Sequence, residues 1–231
     1  MSSILGDGDT APGPRARVRR LPERARYDRA TLDAILDEGF VCHLGFCSEG
    51  EPVVIPTAYA RLGDAIYVHG APANFALRRA VEGDSVCLTV TLVDGLVLAR
   101  SAFHHSINYR SLVIFGVAHE VEDFEEKRLA LMAFVDHVVP GRSRDTRPPS
   151  DSELRATRVV KVEIAEASAK VRDGGPKDEP EDLALTDIWA GELPFEVVPG
   201  APVADVSAPV TAPVPPYVVA YRRPGAAARD R

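Results

Sequence analysis

Apolar positions recur along this chain at two periods, and the changes between them predict its elements. Leu32, Ile35 and Leu36 share a face at helical spacing. Asp28 stands in front of them as an N-cap, and Gly39 follows as a stop. From Phe40 the period becomes two, with Phe40, Cys42, Leu44 and Phe46 on one side of a strand. A Ser48–Gly50 turn leads into a strand over 52–60, and a Gly63-Asp64 turn leads into one over 65–70, a meander of three strands. Residues 74–81 predict a short helix ending at Gly83. Residues 85–93 are β-rich, Asp94-Gly95 reads as a turn into 96–102, and 111–121 is a further strand. Asp123-x-x-Glu126 opens a helix running to about Val138, with Pro140-Gly141 as its stop. Ser150-x-x-Glu153 opens a short helix before a strand over 157–165. Closely spaced antiparallel strands with helices between them predict a mainly β fold, a small barrel with helical additions.

The two ends break this pattern. Residues 1–19 are rich in Arg, Pro and Gly without apolar periodicity and read as a flexible or loosely docked arm. Seven arginines between 15 and 29 read first as a solvated basic arm. Residues 194–231 open with seven prolines before position 217 and read as an extended tail. The working domain is therefore 20–193.

Charge and composition then remove whole classes. Lys and Arg number 27 against 34 Asp and Glu, a net charge of −7, which argues against bulk nucleic-acid binding. No apolar run reaches the ~18–20 residues of a membrane span, and the first residues lack a secretory apolar stretch, so a cytoplasmic protein is expected. Three cysteines cannot build a disulfide scaffold, and Cys42, Cys47 and Cys87 read as buried reduced thiols. Cys42 and Cys47 point to opposite faces of one strand, so no metal site is expected of them.

Two clusters carry candidate chemistry. Arg100, Ser101, Phe103, His104, His105, Asn108, Tyr109 and Arg110 crowd a connection between strong strands. Adjacent histidines rarely ligate one ion together, so no metal is assigned there. The second cluster runs from His69 and Gly70 through Ala71 and Asn74 to Arg78 and Arg79. Gly70 permits close backbone approach, and the helix start after it can offer N–H groups to a phosphate. No P-loop, GxGxxG or GxSxG motif occurs.

Three segments resemble the FMN-binding split-barrel proteins of the pyridoxamine 5′-phosphate oxidase-like superfamily, and most closely its nitroimidazole-resistance reductase and flavin-nucleotide-binding branch. They are YVHGAP (67–72), LVDGLVLARSAFHHSINYRS (92–111) and EASAKVRDGGP…DIWAGELP (166–194). The resemblance covers approximately 18–194 and implies a six-stranded antiparallel split β-barrel, a homodimer, with FMN in a groove between subunits. It implies that Ile55, Pro56 and Thr57 lay backbone along the flavin ring and that His69 lies near flavin or substrate. It implies that Gly70, Ala71, Asn74 and Arg78 hold the phosphate. Arg100, Ser101, His105, Asn108, Tyr109 and Arg110 would line the groove, and Trp189 would cover it. Where many relatives carry Ser, Thr, Lys or Arg, this chain has Ala71, Pro72, Phe75 and Ala76.

The activity so implied is an FMN-dependent oxidoreductase acting on a small organic substrate such as a quinone or nitroaromatic, with His69 as the catalytic proton donor. Two other readings stay open. His69, His104 and His105 are candidate axial ligands for a haem-binding or haem-degrading protein. The Ala-rich phosphate loop also suits a non-catalytic flavin-binding module.

Overall fold

The structure, a computed structural model of the chain, describes residues 10–83, 85–207 and 212–223. The first nine residues of the arm, and 208–211 and 224–231 of the tail, lie outside them. The strands are β1 (Ala25–Arg26), β2 (Val41–Ser48), β3 (Glu51–Ala58), β4 (Ala60–Leu62), β5 (Ala65–Gly70), β6 (Val86–Leu98), β7 (Ser106–Gly116), β8 (Ala118–Glu120), β9 (Arg158–Glu163), β10 (Glu166–Arg172) and β11 (Gly191–Pro194). The helices are α1 (Arg29–Glu38), α2 (Phe75–Glu82), α3 (Phe124–Val138), α4 (Asp151–Arg155) and α5 (Pro216–Val219).

Pairing is antiparallel throughout and falls into two sheets. One runs β1-β10-β7-β6-β2-β3, with β11 added to β6; the other runs β4-β5-β9-β8. The chain passes from one sheet to the other at Tyr59 between β3 and β4, at Val117 between β7 and β8, and at 164–165 between β9 and β10. Those corners make a barrel that is split and not closed by hydrogen bonds. The alternating residues of both inner faces, with Leu32, Ile35 and Leu36 of α1, fill the space between the sheets. Tyr59 is fully buried at its corner, and its hydroxyl donates to the Leu36 carbonyl at 2.7 Å.

The helix starts follow the sequence. Asp28 accepts from the Thr31 N–H at 2.8 Å and Asp123 from the Glu126 N–H at 2.8 Å. Ser150 and Glu153 make a reciprocal capping box on α4. Glu49 and Gly50 both have positive φ in the β2–β3 turn, as a two-residue hairpin requires.

Asp94-Gly95 is not a turn. β6 runs through it for thirteen residues, with a bulge where the register to β7 shifts between Val93 and Gly95. The glycine is needed for approach: a Cβ there would lie 2.7 Å from the Leu193 carbonyl oxygen of β11. Gly95→Val should therefore lift β11 from β6 at a cost of about 1–3 kcal/mol. Faster amide hydrogen exchange along β11 would report the detachment, and unchanged exchange with unchanged stability would disprove it.

The sequence also placed Ser106–Arg110 in a connector, whereas they begin β7, pairing with β6 and β10. Of the three thiols expected to be buried, Cys42 is, Cys87 is half-buried and Cys47 is exposed on the outer face of β2. The described part of the arm is docked: Ala16 is buried, the Val18 N–H donates to the Tyr27 hydroxyl, and Arg15 pairs with Glu166. Within the Pro-rich end, Pro216 occupies the first turn of α5, where a missing N–H costs nothing.

Candidate functional site

β5 ends at His69 and Gly70, and the side chains of Tyr67 and His69 face α3. The His69 ring stands edge-on to Phe134 at 4.6 Å. With Leu131, Met132, Phe134 and Val135 of α3 it lines an open cavity of about 290 Å³, rimmed by Thr146, Arg147, Pro149 and Glu153. At the rim Arg147 is forked to Glu153 at 2.7 and 2.9 Å. Burial lowers the pKa of His69, so the imidazole is neutral at pH 7. Among the described residues no hydrogen bond occupies its ring nitrogens.

His137, on the same helix, also has its pKa lowered, chiefly by burial, and makes a 2.6 Å bond from Nε2 to the Gly39 carbonyl. Both folded pKa values lie below the unfolded value of about 6.5. The stabilisation from keeping these rings neutral is full above pH 6.5 and is lost as pH falls through the folded values. In the cofactor-free protein, thermal stability should therefore drop between pH 7.5 and 5.5, before the carboxylates titrate. A melting temperature flat over that interval would contradict neutral, buried histidines.

The loop after Gly70 leads into α2. Asn74 caps it, accepting from the Leu77 N–H at 3.1 Å, which leaves the Phe75 and Ala76 N–H groups at the open end. A Cβ at Gly70 would crowd Asn74 and Leu77, so glycine lets this helix start close onto β5. The two neighbouring arginines have different fates. Arg79 is held by Glu49 at 3.0 Å and Glu82 at 3.1 Å. Arg78 is exposed and has no ion pair among the described residues. Ala71, Pro72 and Ala73 add exposed backbone and no side-chain donor.

Ile55, Pro56 and Thr57 lie on β3, the outer strand of the larger sheet, with one backbone edge unpaired. Ile55 is partly exposed, beside the exposed Val54.

Most of the remaining residues are engaged in structural ties. Arg100 donates from its backbone N–H and from Nη1 to the buried carboxylate of Asp178, at 3.0 and 2.9 Å. Ser101 Oγ is buried with no hydrogen-bond partner among the described residues, and the Ser101 carbonyl is 3.0 Å from His105 Nδ1. Asn108, buried in β7, donates to Glu192 at 2.6 Å and accepts from Arg172, which also donates to the Gly174 and Gly175 carbonyls. It thereby ties β10 to β11. Tyr109 is half-buried on the opposite face of β7. Arg110 is forked between Asp94 and Glu38. Trp189 is exposed, at the level of Arg100 by the β11–β6 register, with the exposed Phe103 at the same end of the sheet.

Sequence reasoning missed the partners that commit these arginines, Asp178, Glu38 and Asp94, and the α3 residues facing His69. The helical run Leu131-Met132-Phe134-Val135 was their only signal. No group of three or more His, Cys, Asp or Glu that could hold a metal ion occurs among the described residues. No helix among them is long and apolar enough to cross a membrane.

Residues 28–171 match the family described as pyridoxamine 5′-phosphate oxidase. Among solved structures, the flavocytochrome Anf3 from Azotobacter vinelandii is similar over 92% of this chain and 98% of its own, at 39% identity and a TM-score of 0.85. The FAD and heme binding protein from Mycobacterium smegmatis is similar over 84% of this chain and 95% of its own, at 34% identity and a TM-score of 0.80. A putative 5-nitroimidazole antibiotic resistance protein from Bacteroides thetaiotaomicron is similar over 62% and 84%, at 28% identity and a TM-score of 0.54. No curated protein matches.

Proposed function

Because the chain belongs to the pyridoxamine 5′-phosphate oxidase family, we propose that it is a flavin-dependent oxidoreductase that also carries haem, with His69 as the haem ligand. The observation that carries the haem assignment is His69 itself: a neutral imidazole, free of hydrogen bonds among the described residues, facing an apolar cavity. Leu131, Phe134 and Val135 suit a porphyrin face, and Arg147 at the rim would suit a propionate on exchanging it for Glu153. A ring whose pKa is lowered by burial serves ligation better than proton donation at neutral pH. The A. vinelandii flavocytochrome and the M. smegmatis FAD and heme binding protein support this reading by their likeness.

The flavin reading rests on other residues. The open β3 edge at Ile55–Thr57 offers backbone groups to a ring edge. The start of α2, where the Asn74 cap leaves the Phe75 and Ala76 N–H groups open, and Arg78, without an ion pair among the described residues, offer charge-assisted donors to a phosphate. That phosphate site has one arginine and no side-chain hydroxyl, so a cofactor with further binding surface gains most. We therefore favour FAD, with FMN, implied by the sequence resemblance, as the second reading. When bound, the flavin supplies hydride and electron transfer; the chain positions it and excludes water. A small acceptor such as a quinone or nitroaromatic fits this chemistry, and the likeness to a nitroimidazole resistance protein supports it. Exposed apolar residues on β2 and β3 (Val41, Val54 and Ile55) favour a homodimer that completes the flavin groove. Three free cysteines favour the reducing cytoplasm.

The test is the visible spectrum of the protein as purified. A Soret band together with a flavin released by denaturation, identified by chromatography as FAD or FMN, is the expected result. Flavin alone would leave the haem-free oxidoreductase. A bound flavin that is reduced but reoxidised by no quinone, nitroaromatic or dioxygen would mean a carrier, and a colourless protein that takes up neither cofactor would end the reading.

A further inference from the structure

A larger cavity, about 620 Å³, shares no residue with the His69 cavity and meets the site residues described above only at Glu38 and Asp94, the partners of Arg110. It lies between the middle of β6, at Thr91–Asp94, and the extended segment 195–199, and is also lined by Glu38, Arg222 and Arg223. Its construction is specific. The Phe195 N–H donates to the Asp94 carbonyl at 2.9 Å, which carries the line of β11 past its last residue and holds the segment over the cavity. At the other side α5 is pinned by the Tyr217 hydroxyl on Asp145 at 2.5 Å and by the Tyr221 hydroxyl on the Val138 carbonyl at 3.0 Å. These bonds deliver Arg223 into the cavity wall, over the ring of Phe40.

Arg223 is then a charge in an unusual position. It is 9% exposed, and among the described residues its Nη1 has no hydrogen-bond partner. A buried guanidinium without a carboxylate is costly, and burial depresses its pKa. Among the described residues the acids nearby make no hydrogen bond to it, and Glu38 acts on its charge only through space. Glu38 and Asp94 are both forked to Arg110, and Glu196 is exposed. Arg222 adds a second cation at the same end. Between this cationic end and the far wall lie Leu92, Val93, Phe195, Val197 and Val198. The volume is within the ~300–1,000 Å³ of ordinary small-molecule sites.

We propose that this cavity binds a small organic anion, its carboxylate or phosphate on Arg223 and its apolar body against Leu92 and Val93 beneath the 195–199 segment. The anion supplies the partner that the chain withholds from Arg223, and the segment supplies the apolar cover.

Calorimetric titration of the full-length protein as purified tests this with four probes: benzoate, phenyl phosphate, neutral benzyl alcohol and inorganic phosphate. At least one aromatic anion should bind about tenfold or more tightly than both the alcohol and inorganic phosphate. Preference between benzoate and phenyl phosphate identifies the head group. Arg223→Met removes the guanidinium over Phe40 while keeping a long unbranched side chain, and should erase the preference for anion over alcohol, while Arg223→Lys should keep part of it. If the methionine variant fails to fold, the wild-type selectivity and the lysine variant still carry the test. Equal binding of anion and alcohol, no binding of either anion, or a preference that survives Arg223→Met would overturn the proposal. So would release of bound flavin or haem by the anion, since the cavity would then belong to a cofactor site. A protein purified without cofactor would defeat the functional reading above and leave this one standing.

Discussion

Arg110→Met should be among the most damaging single substitutions in the sheet, lowering stability by about 3–5 kcal/mol and the melting temperature by about 10 °C or more. Arg110 makes four hydrogen bonds: Nε and Nη2 to Asp94, both at 2.9 Å, and Nη1 and Nη2 to Glu38, at 2.5 and 2.9 Å. All three side chains are mostly buried, with exposures between 13% and 19%. The bond to Asp94 outweighs burial, and with the bond to Glu38 it raises the arginine's pKa further. Removing the guanidinium leaves two partly desolvated carboxylates beside each other with no common cation. The sign of the effect can be tested with pH: the deficit should shrink as the solution is acidified and the carboxylates protonate. Arg110→Lys should recover only part, because an ammonium cannot fork to two carboxylates at once. The sequence offered Arg110 as a ligand for a cofactor, and the same variant separates the two roles. With a structural role, the folded fraction keeps its flavin-to-protein ratio; selective loss of flavin from folded protein would restore the ligand role.

This residue also shows what a sequence conveys and what it withholds. The strands of the meander, the caps at Asp28, Asp123 and Ser150 and the helix starts depend on neighbours within a few positions, and local pattern reports them directly. Asp94-Gly95 misleads because a turn and a bulge use the same residues; only β11, about a hundred positions later, makes the glycine a matter of close approach. β10 is hard to see for another reason. Its Ala167, Ser168 and Ala169 have weak β-propensity and are buried because β1 and β7 flank them. In the site, residue types were legible and their commitments were not. Arg78 and Arg79 are equivalent in sequence, yet Glu49 on the β2–β3 turn takes one and leaves the other. Arg100 looks like a free cation until Asp178 is brought against it. His69 could be read only as a histidine at a strand end, because the α3 residues that make its cavity apolar come from more than sixty positions away.

That cavity makes His69→Ala the sharpest test of the haem assignment. Replacing a residue that merely orients a metal ligand weakens binding by about 10–100-fold, and removing the ligand itself should do more, so the Soret band of the purified variant should all but disappear. Exogenous imidazole should restore part of it, since the alanine leaves room for a free ring beside Phe134. Flavin content should stay as in the wild type, because the β3 edge and the start of α2 do not depend on this side chain. The other candidate histidines provide the control. His105 is engaged with the Ser101 carbonyl and His104 lies 3.6 Å from Glu179, both at the far end of β6. His104→Ala and His105→Ala should therefore leave the Soret band intact. If one of them removes it and His69→Ala does not, haem sits at the β6–β7 end. The His69 cavity would then be free for substrate, and the depressed pKa of its imidazole would suit a proton acceptor rather than a donor. The pH dependence distinguishes these cases as well. If His69 holds haem, a ligand that must be deprotonated would be lost in acid, and the Soret band and stability would fall over the same pH interval.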